Sequence, residues 1–118
     1  MNRLTDLPPK SVEFMIKDGV AMIDIRRPDE WENTGVIKNA HKLTFFDSFG
    51  NHDIPTWLRN FEKIVTSKEE PFVLICAHAN RTRVVGEFLI QQHGYKNVAH
   101  LAGGMALWLE ERKEVVFE

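Results

Sequence analysis

Cys76 is the only cysteine in the chain, and it stands between an apolar run, Phe72 to Ile75, and the segment Ala77-His78-Ala79-Asn80-Arg81-Thr82. A lone thiol can form no internal disulfide and cannot build a thiolate zinc site, so its uses reduce to packing, intermolecular pairing or thiol chemistry. Packed at a strand end, it is a small hydrophobe and nothing more. As a nucleophile it needs its negative form stabilised, and the residues that follow can do that. Where the loop enters a helix, backbone N–H groups can curl around the sulfur and add to the positive amino-terminal end of that helix. Such a cradle favours anions, and a thiolate over a thiol. Arg81 adds fixed positive charge or orients the loop. His78 is a tempting acid or base, but with the backbone facing the sulfur its side chain is expected to point outward.

These residues need elements to hold them, and the chain alternates helix with strand. "PPKSVEFMIKDG" opens on prolines, repeats Val12, Met15 and Ile16 at helical spacing and stops at Gly19, which predicts a first helix. "VAMIDI" reads as a buried strand broken by Arg26, Arg27 and Pro28, with Asp24 at its carboxyl end. "HKLTFF" reads as a short strand, and Trp57, Leu58, Phe61, Ile64 and Val65 set the period of a helix over "IPTWLRNFEKIV". "FVLIC" has the near-continuous apolar character of an inner parallel strand, and the helix after it places Val84, Val85, Phe88 and Leu89 on one stripe, slightly weakened by Gly86. "NVAHL" and "GGMALWLEERKE" supply a last strand and a last helix. Alternation of this kind implies an α/β fold with a parallel sheet covered on both faces.

In open α/β sheets, ligands bind beyond the carboxyl ends of the strands, which is where Cys76 falls. Asp24 lies at the corresponding end of another strand and is placed to fix the Arg81 guanidinium in a bidentate pair. Arg26 is expected in solvent or at the mouth of the pocket, and Trp31, Trp57 and Trp108 in the core or as a lid. His41, His52, His93 and His100 show no metal-ligand spacing, so surface or satisfied core positions are expected for them.

With 118 residues and 43% hydrophobic content, the chain is the size of one ordinary domain, residues 1–118, with no internal linker or repeat. A net charge of -2 from 15 basic and 17 acidic residues leaves no basic stripe, so nucleic acid is not an expected partner. No apolar run approaches the roughly 20 residues of a membrane span, and "MNRLTDLPPK" lacks an apolar leader, so a cytoplasmic location is expected. The carboxyl end, "EVVFE", is an apolar patch that packs on the domain or on a second copy.

Three motifs resemble the rhodanese, or sulfurtransferase, family over nearly the whole chain. Asp24-Ile25-Arg26, Pro28-Asp29-Glu30-Trp31 and Gly35-Val36-Ile37-Lys38-Asn39-Ala40 are similar to the family's D-x-R strand end, P-x-E-[FYW] turn and G-H-I-P-G-A. Cys76 to Thr82 resembles its active loop, C-R-S-G-N-R-S, and Leu101-Ala102-Gly103-Gly104-Met105-Ala106-Leu107-Trp108 its closing L-x-G-G-x-x-x-W. The resemblance implies a central, mostly parallel five-stranded sheet flanked by helices on both faces. It also implies a catalytic Cys76 that takes the outer sulfur of a donor such as thiosulfate, holds it as a persulfide in a cradle formed by Ala77 to Thr82, and passes it to a thiophilic acceptor, either cyanide, a thiol or an acceptor protein. No metal or organic cofactor is implied, and a monomer or weak homodimer is expected. Ala77 replaces an arginine of the family loop, which points to weak thiosulfate turnover, and Ala79 replaces a glycine. If that position takes a positive φ, alanine there costs about 1–2 kcal/mol. Two other readings stay open: a non-catalytic or redox-sensing interaction module, and a cysteine phosphatase or arsenate reductase. The related phosphatases carry five residues between cysteine and arginine, whereas here there are four, Ala77 to Asn80.

Overall fold

Val73, Leu74 and Ile75 leave no side of their strand fit for water, so that strand must lie inside a sheet covered on both faces. In the computed structural model, which describes residues 3–118, it does. Met1 and Asn2, the first two residues of the stretch read for a leader, lie outside the described residues. The elements run β1 (Thr5–Leu7), α1 (Pro9–Lys17), β2 (Ala21–Asp24), α2 (Pro28–Thr34), β3 (His41–Lys42), α3 (Ile54–Glu62), β4 (Phe72–Ile75), α4 (Asn80–His93), β5 (Val98–Leu101) and α5 (Gly104–Glu110). The sheet order is β1-β5-β4-β2-β3, and every pairing is parallel. All carboxyl ends therefore point one way, and the loops that could hold a ligand gather at one edge.

Side chains alternate across the sheet with the period of two that strands impose. Ile23, Phe72, Leu74 and Val98 meet Trp57 and Phe61 of α3 and Val85 and Leu89 of α4. Met22, Val73, Ile75, Ala99 and Leu101 meet Val12 of α1 and Met105 and Trp108 of α5. The first layer is strongly aromatic, with Trp57 stacked on Phe61 at 4.8 Å and Phe61 edge-on to Phe72 at 4.9 Å.

Several expectations need correction. β1 and α2 do not follow from the readings above. β1 is short and half polar, and α2 buries no side chain, so neither carries hydrophobic periodicity. "HKLTFF" pairs as a strand only at His41–Lys42, although Leu43 and Phe45 continue to donate to the Asp24 and Ile25 carbonyls. The α4 stripe excludes Val84, which is 60% exposed, and includes Thr82, Val85, Gly86 and Leu89. A Cβ on Gly86 would stand 2.7 Å from Leu4 Cδ1, so the glycine gives room to the segment leading into β1. The carboxyl end packs on its own chain: Val116 exchanges backbone hydrogen bonds with Val36, and Val115 lies against the second core layer.

Arg26 is neither in solvent nor at a pocket mouth. It is 1% exposed and gives Asp24 a buried, multidentate pair, with Nε to Oδ1 at 3.0 Å and Nη2 to Oδ2 at 2.8 Å, while its remaining donors reach Thr34 Oγ1 and the Gly35 carbonyl. The pair ties the end of β2 to the end of α2. Removing one partner leaves a buried, uncompensated charge. Arg26→Met should therefore lower unfolding stability by about 3–5 kcal/mol in urea titrations, and adding Asp24→Leu to it should restore much of the loss.

Candidate functional site

The site is built where β4 ends. Cys76 follows Ile75 directly, and the chain then turns through Ala77, His78 and Ala79 into α4 at Asn80. Ala79 makes that turn in the left-handed region, at φ 69° and ψ 7°, so the strain expected of an alanine in the family's glycine position is present. Two hydrogen bonds hold the loop from below: the amides of Met105 and Ala106, in the first turn of α5, donate to the carbonyls of Cys76 (2.8 Å) and Ala77 (3.0 Å). The approach is so close that a Cβ on Gly104 would stand 2.4 Å from the Ala77 oxygen. Gly104 is required there by space as well as by its φ of 62°.

In a trans peptide the N–H points away from the carbonyl of the same unit. With the Cys76 and Ala77 carbonyls turned to α5, the amides of Ala77 and His78 point away from it. Among the described residues, no protein acceptor is found for the amides of Ala77 to Thr82. The sulfur itself is 1% exposed, and its hydrogen-bond partner is the Thr82 hydroxyl at 3.5 Å. Sγ is in contact with one hydroxyl, and the loop amides have no acceptor among the described residues. His78 is exposed, as are Asn80 and the outer side of the loop.

Arg81 is held, but not by Asp24. Its Nη1 and Nη2 donate to both oxygens of Glu30 at 2.7 Å each, a bidentate fork across 51 positions of sequence. Asp24 is unavailable because Arg26 saturates it. Glu30 is fixed in turn by its place in α2: it also accepts from the Arg27 amide at 3.1 Å, closing the helix's amino terminus. Burial raises the Glu30 carboxyl, but hydrogen bonds from Arg81 and the Arg27 backbone and the charges of both arginines outweigh it and bring the pKa down to about 2. A helix-start signature was present in the sequence, with Pro28 at the first position, Asp29 next and Glu30 at the third. It marks Glu30 as a capping residue, with its carboxylate pinned at the start of α2.

A second residue outside the sequence-level candidates is His100, fully buried in β5, whose Nδ1 lies 2.7 Å from Thr82 Oγ1. A histidine inside an otherwise apolar parallel strand needs a polar partner, and this was the available signal. Of the tryptophans, Trp57 and Trp108 are core residues. Trp31 is half-buried, and Lys42 lies over its ring.

The description "Rhodanese-like domain" attaches to the family whose model matches residues 8–111. The chain belongs to the rhodanese-like domain family. Among its relatives is the thiosulfate sulfurtransferase GlpE of Pseudomonas syringae pv. syringae, 24% identical over 108 residues that cover 92% of this chain and 90% of the relative. The same enzyme of Pseudomonas putida KT2440 is 28% identical over 109 residues, 92% and 87% of the two chains. Of solved structures, a rhodanese-related protein from Thermoplasma volcanium superposes with a TM-score of 0.72 at 29% identity, covering 97% of this chain and 99% of that one. The polysulfide-sulfur transferase homodimer of Wolinella succinogenes gives 0.74 at 26%, covering 96% and 78%. Within this rhodanese-like domain the family's D-x-R motif serves the buried pair described above, and the P-x-E motif supplies the loop arginine's partner.

Two substitutions test the loop. Glu30→Gln should cost about 1–3 kcal/mol by leaving the Arg81 fork half paired. Because the carboxyl's pKa is lowered on folding, the pair's contribution should be complete above the ordinary carboxylate range and should fade as pH falls from there toward about 2. The Glu30→Gln variant should lack that acid-dependent loss in thermal melts. Ala79→Gly removes about 1–2 kcal/mol of left-handed strain and adds back about 0.5–1 kcal/mol of chain entropy. A net gain of about 0.5–1 kcal/mol in denaturant unfolding is expected.

Proposed function

We propose that this chain is a sulfurtransferase whose Cys76 carries sulfane sulfur as a persulfide. The observation that supports the reading most directly is the loop itself. A single thiol stands at the carboxyl end of an inner strand, and the amides from Ala77 to Thr82 beside it have no acceptor among the described residues. Backbone donors left without a partner are what an oxyanion hole, or a cradle for a terminal sulfur anion, draws on. In the first half-reaction the Cys76 thiolate attacks the outer sulfur of the donor. The donor's S–S bond breaks, and its electron pair leaves with the remainder, sulfite when the donor is thiosulfate. In the second, the acceptor, cyanide or a thiol, attacks the terminal sulfur of the persulfide, and the bond electrons return to the cysteine sulfur.

Side-chain charge in the loop is low. Ala77 brings none, and Arg81 is committed to Glu30. A dianionic donor such as thiosulfate therefore meets amide dipoles without a free guanidinium at the rim, so turnover with thiosulfate should be weak relative to donors of lower charge. The short loop, with four residues from Ala77 to Asn80 between cysteine and arginine, suits one added sulfur atom.

Incubation with thiosulfate, or with a low-molecular-weight persulfide, followed by mass spectrometry should add the mass of one sulfur to wild-type protein and none to Cys76→Ser. Cyanide or a thiol should then remove it. If no donor leaves a sulfur on Cys76, the chain is not a transferase, and the non-catalytic reading of the altered loop takes its place.

A further inference from the structure

Four buried polar or charged residues stand among the described ones: Asp24, Arg26, Thr82 and His100. The first two satisfy each other. The other two form a chain that ends on the reactive sulfur: Sγ of Cys76 to Thr82 Oγ1 at 3.5 Å, and Thr82 Oγ1 to His100 Nδ1 at 2.7 Å, while His100 Nε2 is bonded to Asp6 Oδ1. The backbone prepares this line. Asp6 and His100 are paired in register on adjacent strands β1 and β5, so their side chains project from the same face. Thr82 is fully buried in the first turn of α4, above β5.

Donor and acceptor directions follow from the groups present. An ionised carboxylate only accepts, so the nitrogen facing Asp6 carries hydrogen, and the neutral ring then offers Nδ1 as an acceptor. Nδ1 takes the Thr82 hydroxyl proton. The Thr82 oxygen is left to accept, and the thiol S–H is its donor. Every hydrogen thus points from the sulfur toward Asp6. The same heavy atoms support the opposite arrangement without moving. The S–H bond breaks as its proton passes to the Thr82 oxygen, the threonine's own proton passes to Nδ1, and a thiolate and an imidazolium result, with Thr82 donating to the sulfur and His100 donating to both Thr82 and Asp6.

We propose that His100, oriented by Asp6, stores the proton of Cys76 during the sulfur-transfer cycle, with Thr82 as the carrier between them. The proposal rests on Cys76 being the nucleophile of the reading above. While the persulfide is present, the imidazolium supplies a positive charge close to the sulfur in a loop where Ala77 supplies none and Arg81 is already paired. When the acceptor has taken the outer sulfur, the proton returns to the thiolate. His100 has no solvent contact, but the Asp6 side chain is 55% exposed and opens the far end of the line to water. The groups facing the ring are Asp6 from β1, Arg83 and Glu87 from α4, and Leu74 beside it on β4. Burial lowers the pKa of His100. Asp6 and Glu87 oppose that, and Arg83, bonded to Asp6 at 3.1 Å, adds to it, which leaves a neutral resting imidazole ready to accept.

The test uses iodoacetamide, an uncharged alkylating probe, so that it needs no sulfur donor and its outcome is separate from the persulfide experiment. In wild type, the rate of Cys76 alkylation against pH should carry the titration of the relay. His100→Gln and Thr82→Val should each lower the rate at neutral pH by about a hundredfold, the low end of the range known for positioned acid–base groups, and displace the profile. Thr82→Ser, which restores the hydroxyl, should bring the profile back toward wild type relative to Thr82→Val. A folded His100→Gln protein with a profile superimposable on wild type overturns the proposal. Should the His100 and Thr82 variants fail to fold, nitrogen-15 spectra of wild-type histidine decide the matter. Hydrogen on Nε2 of the reduced protein, and a ring titration that shifts when Cys76 is alkylated, are expected. Hydrogen on Nδ1, or a titration indifferent to alkylation, overturns it.

Discussion

Two backbone hydrogen bonds from the first turn of α5 to the carbonyls of Cys76 and Ala77 decide the conformation of everything around the sulfur. They are possible because Gly104 has no side chain, and any Cβ there would collide with the loop backbone. Once those two carbonyls are taken, the adjacent amides have no choice but to face away from α5, and the chain must reverse within a few residues to enter α4. Ala79 absorbs that reversal in the left-handed region. The strain at one alanine is thus a consequence of anchoring the loop from beneath, and it persists because the anchoring bonds, the buried start of α4 and the Arg81 fork together over-determine the turn.

Charge at this edge of the sheet is sorted into separate, closed sets. Asp24 and Arg26 neutralise each other in the interior, and Arg81 and Glu30 do so at the loop's shoulder. Bidentate pairs of this kind fix geometry more than they add net stability, since both partners are partly or wholly removed from water. What they leave for a ligand is dipoles: the free amides of the loop and the amino-terminal turn of α4. Under the proposed sulfur-transfer reading, a site made of dipoles should discriminate against highly charged donors more than one that carries a free cation.

Much of the architecture could be read from the chain because the inner strands and α1, α3, α4 and α5 each bury a patterned face, and pattern is what a sequence displays. β1 and α2 were illegible by the same logic, since one is three residues long with two of them exposed and the other buries nothing. The position of Cys76, between an inner strand and a helix, was legible from the apolar run before it and the pattern after it. The partner of Arg81 was not, because Asp24, the carboxylate expected to hold it, is claimed by another arginine. Arg26 lies two residues from Asp24 and folds back onto it, which no periodicity reveals. The P-x-E cap signalled only that Glu30 closes a helix terminus and is held in place, not which donor it is held beside.

The placement of His100 shows the same principle from the other side. A buried strand tolerates a polar side chain only where partners are assembled for it, and here those partners come from two elements distant in sequence from β5, namely β1 and α4. A histidine that served packing alone could be replaced in the strand by an apolar residue with no orphaned group to satisfy. Instead Asp6 saturates one ring nitrogen and Thr82 the other, and the hydroxyl that completes the line is the group in hydrogen-bond contact with the thiol. Two polar systems of different kinds thus stand near the sulfur. One is the set of loop amides without acceptors, dipoles that cannot move a proton, and the other is the side-chain line proposed to move a proton and hold it. The proposed sulfur-transfer cycle alternates between an anionic and a protonated sulfur in a site closed to water, and it calls for both.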